Sequence, residues 1–225
     1  MKLSWQQIPS TIISEMLCED FQGVVLDTEH GCFSNEMLYS CIQLITAKDK
    51  KCLVRLTEIN KTLIRMCLDA GASGLIFSTV EDAAQAIEIK NLCTYPKYGG
   101  TRGLGLVRQN KWGYSALVNE PPIIVAQIET KRGIFNLEEI HAQGLDFYMI
   151  GPYDLSASLG ITAEFDNPKF IEAIGKVKET ITDLGQLAVH IPTDVDKHID
   201  KYSGYGIIAV GMDTTILMEG YKELK

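Results

Sequence analysis

Short apolar segments recur along the whole chain, and amphipathic stretches separate them. The apolar segments lie at residues 3–6, 24–26, 52–56, 74–77, 123–128, 147–150, 187–190 and 207–210. Stretches with apolar residues near a period of 3.6 lie between them, at 63–70, 80–92, 134–141, 168–184 and 194–202. Strands that are apolar throughout and alternate with helices belong to parallel sheets that helices cover on both faces. The pattern therefore predicts an α/β protein with a parallel sheet.

The length of the chain distinguishes two parallel-sheet architectures. A (β/α)₈ TIM barrel typically needs about 250 residues but tolerates about 200, and this chain has 225 without a linker, low-complexity tract or repeat. The alternative is an open doubly wound sheet, which commonly has a glycine-rich turn after its first strand. Residues 6–9 read QQIP and offer no such turn. We therefore expect a single TIM-barrel domain over residues 1–225.

Charge and cysteine content restrict the class of partner and the compartment. The formal net charge of -8 argues against non-specific binding to nucleic acid or an anionic membrane, because either would need a basic face. The six cysteines show neither paired spacing nor a zinc-like cluster, which favours a reducing compartment. Neither a secretory signal nor a membrane-length apolar stretch is present. We expect a cytoplasmic protein that acts on small molecules.

Polar side chains follow several of the predicted strands at the point where each strand ends. They are Asp27, Glu29 and His30 after the second strand, Arg55 in the third, Gln127 and Glu129 in the fifth, and Asp154 after the sixth. The carboxyl ends of the strands of a parallel barrel all lie on one face, where the βα loops build the active site. Separate core strands are therefore expected to bring acids, an imidazole and a guanidinium together.

The segment PPIIVAQIET indicates which way the fifth strand faces. Side chains alternate on a strand, so Gln127 and Glu129 point into the barrel while Ala126 and Ile128 meet helices. A buried carboxylate is costly unless a cation or hydrogen bonds compensate it. Asp154, in the short GPYD turn, is the natural second acid. Two carboxylates without clustered histidine or cysteine suit Mg²⁺ or Mn²⁺.

A structural interpretation of the same acids competes with the metal site. Glu129 could pair with Lys131 or Arg132, and Asp154 could cap the next turn. For an isolated QIE motif this interpretation is the commoner one, because structural ion pairs are frequent.

Five motifs occur together in one order along the chain. They read LDTEHG, LDAGASGLIF, YPKYGGTRGLG, QIETKRGIFNLEEI and GLDFYMIGPYDLSASLG. From about residue 5 to residue 213 the chain resembles the HpcH/HpaI aldolases, class II pyruvate aldolases that act on 2-keto-3-deoxy acids. The resemblance implies a TIM barrel that assembles as a homo-oligomer, usually a hexamer built as a trimer of dimers that exchange C-terminal helices. It also implies cleavage or formation of a carbon–carbon bond between pyruvate and an aldehyde through a metal-bound enolate.

The resemblance also implies roles for particular residues. Glu129 and Asp154 would bind the divalent ion, Mg²⁺, Mn²⁺ or Co²⁺. His30 would be the general base, with Asp27 beside it. Asp69, in CLDAGA, matches an acid that orients the base, either within its own subunit or from a neighbouring one.

The oxo-acid half of the substrate would have its own residues. The resemblance implies that Arg55 holds the carboxylate or carbonyl oxygen of pyruvate and that Gln127 assists. Backbone amides at Tyr153 and Asp154 would complete the carboxylate pocket. The loop GGTRGLG, with Arg102, would close near the mouth of the barrel.

The expected chemistry agrees with these residue types. Cleavage of a 4-hydroxy-2-oxo acid removes the proton of the C4 hydroxyl, breaks the C3–C4 bond and leaves negative charge on an enolate oxygen. A metal ion and the guanidinium of Arg55 would stabilise that charge. A histidine such as His30 suits the proton transfer.

Several departures from the family pattern affect loops. Ser78 stands where the family commonly has proline, Lys97 replaces the second proline of its YPP element, and Tyr153 replaces a frequent alanine. The segment 112–122 and both termini are shorter than usual. We expect these differences to alter the aldehyde accepted, the width of the pocket and the exchange of C-terminal helices.

Other functions remain open at this point. Related enolate chemistry includes oxaloacetate decarboxylation and the acyl-CoA cleavage of citrate lyase β-like proteins. A non-catalytic barrel used for binding or assembly is a further reading. A Schiff-base aldolase would need a lysine at the site, and Lys131 is the nearest candidate.

Overall fold

The structure, a computed structural model, describes residues 1–115 and 120–224. Eight parallel strands close into a barrel in which each strand neighbours the next one in sequence, and β1 pairs with β8. They are β1 (Lys2–Gln6), β2 (Gly23–Asp27), β3 (Lys51–Leu56), β4 (Gly74–Phe77), β5 (Ile123–Ile128), β6 (Phe147–Ile150), β7 (Leu187–Ile191) and β8 (Ile207–Val210). The predicted TIM barrel is confirmed, with each strand within one residue of its expected ends. The open-sheet alternative is wrong.

Helices cover the outside of the barrel. They are α1 (Thr11–Asp20), α2 (Asn35–Ala47), α3 (Lys61–Ala70), α4 (Ala83–Cys93), α5 (Lys131–Phe135), α6 (Leu137–His141), α7 (Pro152–Ser158), α8 (Pro168–Thr180), α9 (Val195–His198) and α10 (Asp213–Lys222). The predicted helix 134–141 is divided at Asn136 into α5 and α6. The predicted helix 168–184 ends earlier, at Thr180, and the stretch 194–202 divides into α9 and a 3₁₀ turn (Ile199–Tyr202).

Side-chain caps fix where several helices begin. Asn60 accepts hydrogen bonds from the backbone N–H groups of Thr62 and Leu63, and Asp82 accepts one from Gln85. Each cap satisfies a donor that the first helical turn leaves unpaired. The caps explain why α3 begins at Lys61, before the predicted start at residue 63, and why α4 begins at Ala83, after the predicted start at residue 80.

Two apolar layers hold the fold together, one inside the barrel and one between the strands and the helices. Side chains from all eight strands fill the inside, namely Leu3, Trp5, Val25, Leu53, Ile76, Val125, Met149, Ala188, Ile207 and Ala209. Ala126 and Ile128 belong to the outer layer. The expected alternation on β5 is therefore confirmed.

The inner apolar layer sets the position of the polar side chains. On six strands, the residue two positions after an inner apolar residue lies at or just past the end of the strand. Starting from Val25, Leu53, Ile76, Val125, Met149 and Ala188, these residues are Asp27, Arg55, Ser78, Gln127, Gly151 and His190, in that order. Because side chains alternate along a strand, these positions also face inward, one step closer to the carboxyl end. They form a ring at the mouth of the barrel.

Within 1–115 and 120–224, the helices are too short or too polar to cross a bilayer.

Candidate active site at the barrel mouth

Arg55 and Asp27 form a two-pronged ion pair at the carboxyl ends of β3 and β2. The Arg55 Nε lies 2.9 Å from Asp27 Oδ1, and its Nη2 lies 2.7 Å from Oδ2. Trp5 Nε1 and Gln7 Nε2 also donate to Oδ2, at 3.1 and 3.0 Å. Burial opposes ionisation of Asp27, but the hydrogen bonds and charge of Arg55 outweigh it and lower the Asp27 pKa to about 2. Asp27 is therefore ionised, and its carboxylate holds the Arg55 guanidinium in place.

Glu29 links this ion pair to the next strand. Its Oε2 lies 2.7 Å from Arg55 Nη1 and accepts a hydrogen bond of 2.9 Å from Ser78 Oγ. A proline at position 78 could not make the second contact. The departure from the family pattern at Ser78 thus supplies a donor at the mouth.

His30 lies on the turn that follows β2. Its backbone N–H donates to Asp27 Oδ1 at 3.3 Å, as does that of Glu29 at 3.1 Å. The residue itself is exposed. The structure therefore brings His30 to the mouth beside Asp27 as expected, and Asp27 fixes the backbone of the turn that carries the imidazole.

Glu129 is buried at the end of β5, with only 3% of its surface exposed. Its Oε1 accepts two hydrogen bonds of 2.7 Å, from the backbone N and from the Oγ1 of Thr79. Its Oε2 accepts a hydrogen bond from Gln127 Nε2. Burial raises the Glu129 pKa, the Thr79 hydroxyl counteracts it, and the charges of Glu29 and Asp154 add to the rise. The Glu129 carboxyl thus lies near the negative charges of Glu29 and Asp154.

The contacts that the structural interpretation predicts for these acids are absent from the described residues. Arg132 pairs with Asp82 at 2.7 Å and with Glu81 at 3.7 Å, and in the described part of the chain neither it nor Lys131 bridges to Glu129. Asp154 lies in the first turn of α7, where Gly151 is the N-cap residue.

Gly151 allows Glu129 and Gln127 to occupy the mouth. A Cβ at this position would lie 2.5 Å from Glu129 Oε2 and 2.9 Å from Gln127 Nε2. The GPYD turn therefore begins with glycine because the glutamate side chain fills the space where a side chain would project.

The residues at the mouth fit a hard divalent cation. Glu129 has no cationic partner among the described residues, and the Gln127 Oε1 is buried without a hydrogen-bond partner. Oxygen ligands of this kind are those that Mg²⁺ and Mn²⁺ take. Over residues 1–115 and 120–224, no group of three or more His, Cys, Asp or Glu side chains is placed to hold a metal ion. A site built on Glu129 and Asp154 would thus leave positions for water and substrate.

An aromatic stack that the sequence did not reveal lies beneath Arg55. The guanidinium carbon lies 4.9 Å from the Trp5 ring centroid, and Trp5 stacks on His190 at 4.1 Å and 12°. His190 Nε2 lies 3.0 Å from the carbonyl oxygen of Gly211. Burial lowers the His190 pKa to about 4, so its ring is neutral near pH 7. The alternation of side chains along β1 and β7 predicts that Trp5 and His190 both point into the barrel, although it does not predict that they touch.

Tyr153 lies on the rim beside Asp154. The residue is 60% exposed, and its ring meets that of Phe165 edge-on, with centroids 5.2 Å apart. Its carbonyl oxygen accepts a hydrogen bond from Ser156 Oγ at 2.7 Å. The replacement of alanine by tyrosine therefore adds an aromatic surface at the edge of the mouth.

Asp69 is not brought to the mouth of its own barrel. It lies in the last turn of α3, and shortly after it the Ser73 N–H donates to the carbonyl of Cys52, near the start of β3. Arg55 is at the opposite end of that strand. Asp69 instead pairs with Arg102 Nη2 at 2.8 Å.

The expectation that the GGTRGLG loop closes over the mouth of its own barrel is also wrong. After this loop, Arg108 donates to the carbonyls of Ala70 and Gln43 and to Thr46 Oγ1, at the C-terminal ends of α3 and α2. Those helix ends lie at the amino face of the barrel, because each helix runs back against its strand. The shortened segment 112–122 includes residues 116–119, which lie outside the described residues.

Comparisons with known proteins identify the family of the chain. A model of the HpcH/HpaI aldolase/citrate lyase family matches residues 8–219. The chain is 30% identical over 221 residues to 2-keto-3-deoxy-L-rhamnonate aldolase of Shigella boydii serotype 4, covering 94% of this chain and 82% of the relative. It is 33% identical over 205 residues to 4-hydroxy-2-oxovalerate aldolase of Rhodococcus jostii, covering 88% and 79%.

A solved structure extends the likeness to three dimensions. An HpcH/HpaI aldolase/citrate lyase family protein from Burkholderia cenocepacia matches with a TM-score of 0.89 at 25% identity, over 100% of this chain and 92% of that one. The family match and the relatives each cover most of the chain. The protein therefore belongs to the HpcH/HpaI aldolase/citrate lyase family, a family of class II pyruvate-dependent aldolases, which are carbon–carbon lyases.

Proposed function

We propose that this chain cleaves, or forms, a 4-hydroxy-2-oxo acid or a 2-keto-3-deoxy sugar acid, with pyruvate and an aldehyde as the two halves. The observation that carries the proposal is the buried Glu129 carboxyl, which lies near Glu29 and Asp154 and has no cationic partner in the described part of the chain. We assign Glu129 and Asp154 as ligands of a divalent ion, Mg²⁺, Mn²⁺ or Co²⁺. Such an ion would supply positive charge to the 2-oxo oxygen during cleavage.

Arg55 would bind the oxo-acid half of the substrate. A guanidinium has five N–H donors, of which two contact Asp27 and one contacts Glu29. The remaining donors have no hydrogen-bond partner among the described residues and can meet the carboxylate or the carbonyl oxygen of pyruvate. Because the ion pair and the Trp5 ring fix the guanidinium, its charge is already in place when negative charge develops on that oxygen.

His30 would move the proton. In cleavage, a ring nitrogen accepts the proton of the C4 hydroxyl, the C4 oxygen forms the aldehyde carbonyl, and the electron pair of the C3–C4 bond passes to the pyruvate half. Protonation at C3 then completes pyruvate. The exposed position of His30 beside the mouth allows it to exchange that proton with solvent. Gln127 and the backbone amides of Tyr153 and Asp154 would hold the substrate carboxylate.

We further propose that Asp69 acts at the mouth of a neighbouring copy in a homo-oligomer. It lies with Arg102 at the amino face, where Arg102 Nε and Nη1 are buried without a partner. The segment that follows this loop exposes Leu106, Trp112 and Tyr114, a set of apolar side chains that a second subunit could cover. Mixing the inactive variants His30→Ala and Asp69→Asn should restore activity if sites are shared, and no recovery would assign Asp69 a structural role.

Assays of metal dependence and product mass test the reaction. Purified protein is incubated with 2-keto-3-deoxy-L-rhamnonate and 4-hydroxy-2-oxovalerate, the substrates in the names of the two relatives. Pyruvate release should stop in chelator and return with Mn²⁺ or Mg²⁺. Retained activity in chelator with borohydride trapping would instead support a Schiff base at a lysine such as Lys131. Oxaloacetate and an acyl-CoA ester serve as arms for the related enolate reactions.

A further inference from the structure

The turn between β4 and α4 joins two acids that come from different strands. Ser78 Oγ donates to Glu29 Oε2 at 2.9 Å, and Thr79 donates to Glu129 Oε1 through both its backbone N and its Oγ1 at 2.7 Å. Consecutive hydroxyls therefore bind Glu29 on one side and Glu129 on the other. These contacts add to those that Arg55 makes with Glu29 and Gln127 makes with Glu129.

The backbone of Thr79 has an unusual conformation for its residue type. Its φ is 54°, in the left-handed region, which β-branched residues rarely adopt because the branched Cβ crowds the backbone. A glycine or asparagine would fit this conformation at lower cost. The two hydrogen bonds that converge on one oxygen of Glu129 are what this conformation provides.

The contacts of Glu129 leave room for a further ligand. Oε1 accepts two hydrogen bonds from Thr79, and Oε2 accepts one from Gln127 Nε2. A carboxylate has about four acceptor positions, so the side chain is fixed in direction while one position, on Oε2, remains for a cation. Groups that orient a metal ligand in this way commonly contribute about 10-fold to 100-fold to metal affinity.

We propose that Thr79 is a positioning residue, whose hydroxyl holds the Glu129 carboxylate in the direction needed for a divalent ion shared with Asp154. This inference rests on the metal site of the proposed function and assigns a role to a residue outside the ligand set. Its consequence is that loss of the Thr79 hydroxyl weakens ion binding even before substrate is added.

The test measures Mn²⁺ binding without substrate. Free Mn²⁺ is followed by electron paramagnetic resonance during titration of the purified chain and of Thr79→Val, which keeps the β-branched shape and the backbone donor but loses the hydroxyl. The dissociation constant should rise about 10-fold or more. Thr79→Ser, which retains the hydroxyl, should stay within about 2-fold of the parent.

A matched control separates positioning from stability. Thr46→Val removes a hydroxyl that donates to the Ile42 carbonyl and accepts from Arg108, at the far end of the barrel. It should leave the Mn²⁺ dissociation constant unchanged even if the melting temperature falls as it does in Thr79→Val. Equal Mn²⁺ affinity of the parent and Thr79→Val would overturn the role of Thr79 alone, whereas a parent that binds no Mn²⁺ would overturn the proposed function together with it.

Discussion

Arg55 contacts both carboxylate oxygens of Asp27, at 2.9 Å from Nε and 2.7 Å from Nη2, and both residues are buried. The two side chains come from neighbouring strands in register, since Asp27 pairs with Arg55 across β2 and β3. The pair therefore fixes a positive charge at the barrel mouth with little freedom to reorient.

Asp27→Asn should weaken both the fold and the reaction. Removing one partner of a buried ion pair typically costs about 3–5 kcal/mol, and the contact between Arg55 and Glu29 that remains places the expected loss in the free energy of unfolding at the lower end of that range. The rate should fall as well, because a guanidinium held by Glu29 without Asp27 would shift from the oxo-acid position. Urea unfolding and kcat/KM measurements check both effects. The exposed Asp196→Asn serves as control, and equal stability of the two variants would contradict the role given to the pair.

Acid should destabilise the protein in two separate pH windows. The His190 pKa is lowered from 6.5 to about 4, mainly by burial. Between about pH 6.5 and pH 4, this histidine is protonated in the unfolded chain and neutral in the folded chain. The free energy of unfolding therefore falls as the pH drops through this range, by about 3 kcal/mol in all. Asp27, with a pKa lowered to about 2, contributes stability above its unfolded pKa of about 3.9 that is lost as pH falls toward 2.

His190→Phe separates these two windows. Phenylalanine can still stack on Trp5 but has no proton to bind, so stability should become nearly flat with pH between about 6.5 and 4. The decline at lower pH should remain. Unfolding free energies measured at half-unit pH steps check this, with His198→Phe as the control histidine. A slope that persists unchanged in His190→Phe would mean that another group is responsible.

Gly151→Ala should displace the Glu129 carboxylate without straining the backbone. The φ of Gly151 is -92°, so any residue can adopt it, and the effect arises from the added Cβ that would lie 2.5 Å from Glu129 Oε2. Mn²⁺ affinity and turnover should both fall at least about 10-fold. Gly175→Ala, in α8 with no atom within 4 Å of an added Cβ, should be neutral or stabilising by up to about 1 kcal/mol.

Asp154→Asn should remove ion binding and leave the fold intact. Asp154 is exposed in the first turn of α7, and surface substitutions usually change stability by less than about 0.5 kcal/mol. Isothermal titration with Mn²⁺ and thermal unfolding of the same preparation check the two statements. Persistent binding at parental affinity would exclude Asp154 as a ligand.

The barrel could be predicted from the sequence because its strands are buried on both faces. Segments such as Val24–Leu26 are continuous apolar runs, and the alternation of side chains on β5 predicts that Gln127 and Glu129 point inside, opposite to Ala126 and Ile128. The polar residues after those runs then had to share one end. Physical regularity along single strands was sufficient for this part of the site.

Contacts between distant segments could not be predicted in the same way. Trp5 and His190 meet because β1 and β7 both flank β8 in the closed barrel, which no local pattern encodes. Thr79 reaches Glu129 through a left-handed backbone conformation that its residue type does not favour. Asp69 was assigned by resemblance alone, although its place in the last turn of a helix already indicated the amino face.

The ring formed by Asp27, Arg55, Ser78, Gln127, Gly151 and His190 rests directly on the apolar interior. Its members belong to strand ends or to the residue that follows, so their spacing is inherited from the barrel and not from the longer connections above it. Exchanging the connection that follows Asp154 for that of a relative should therefore change which aldehyde is accepted and leave the six residues of this ring in place.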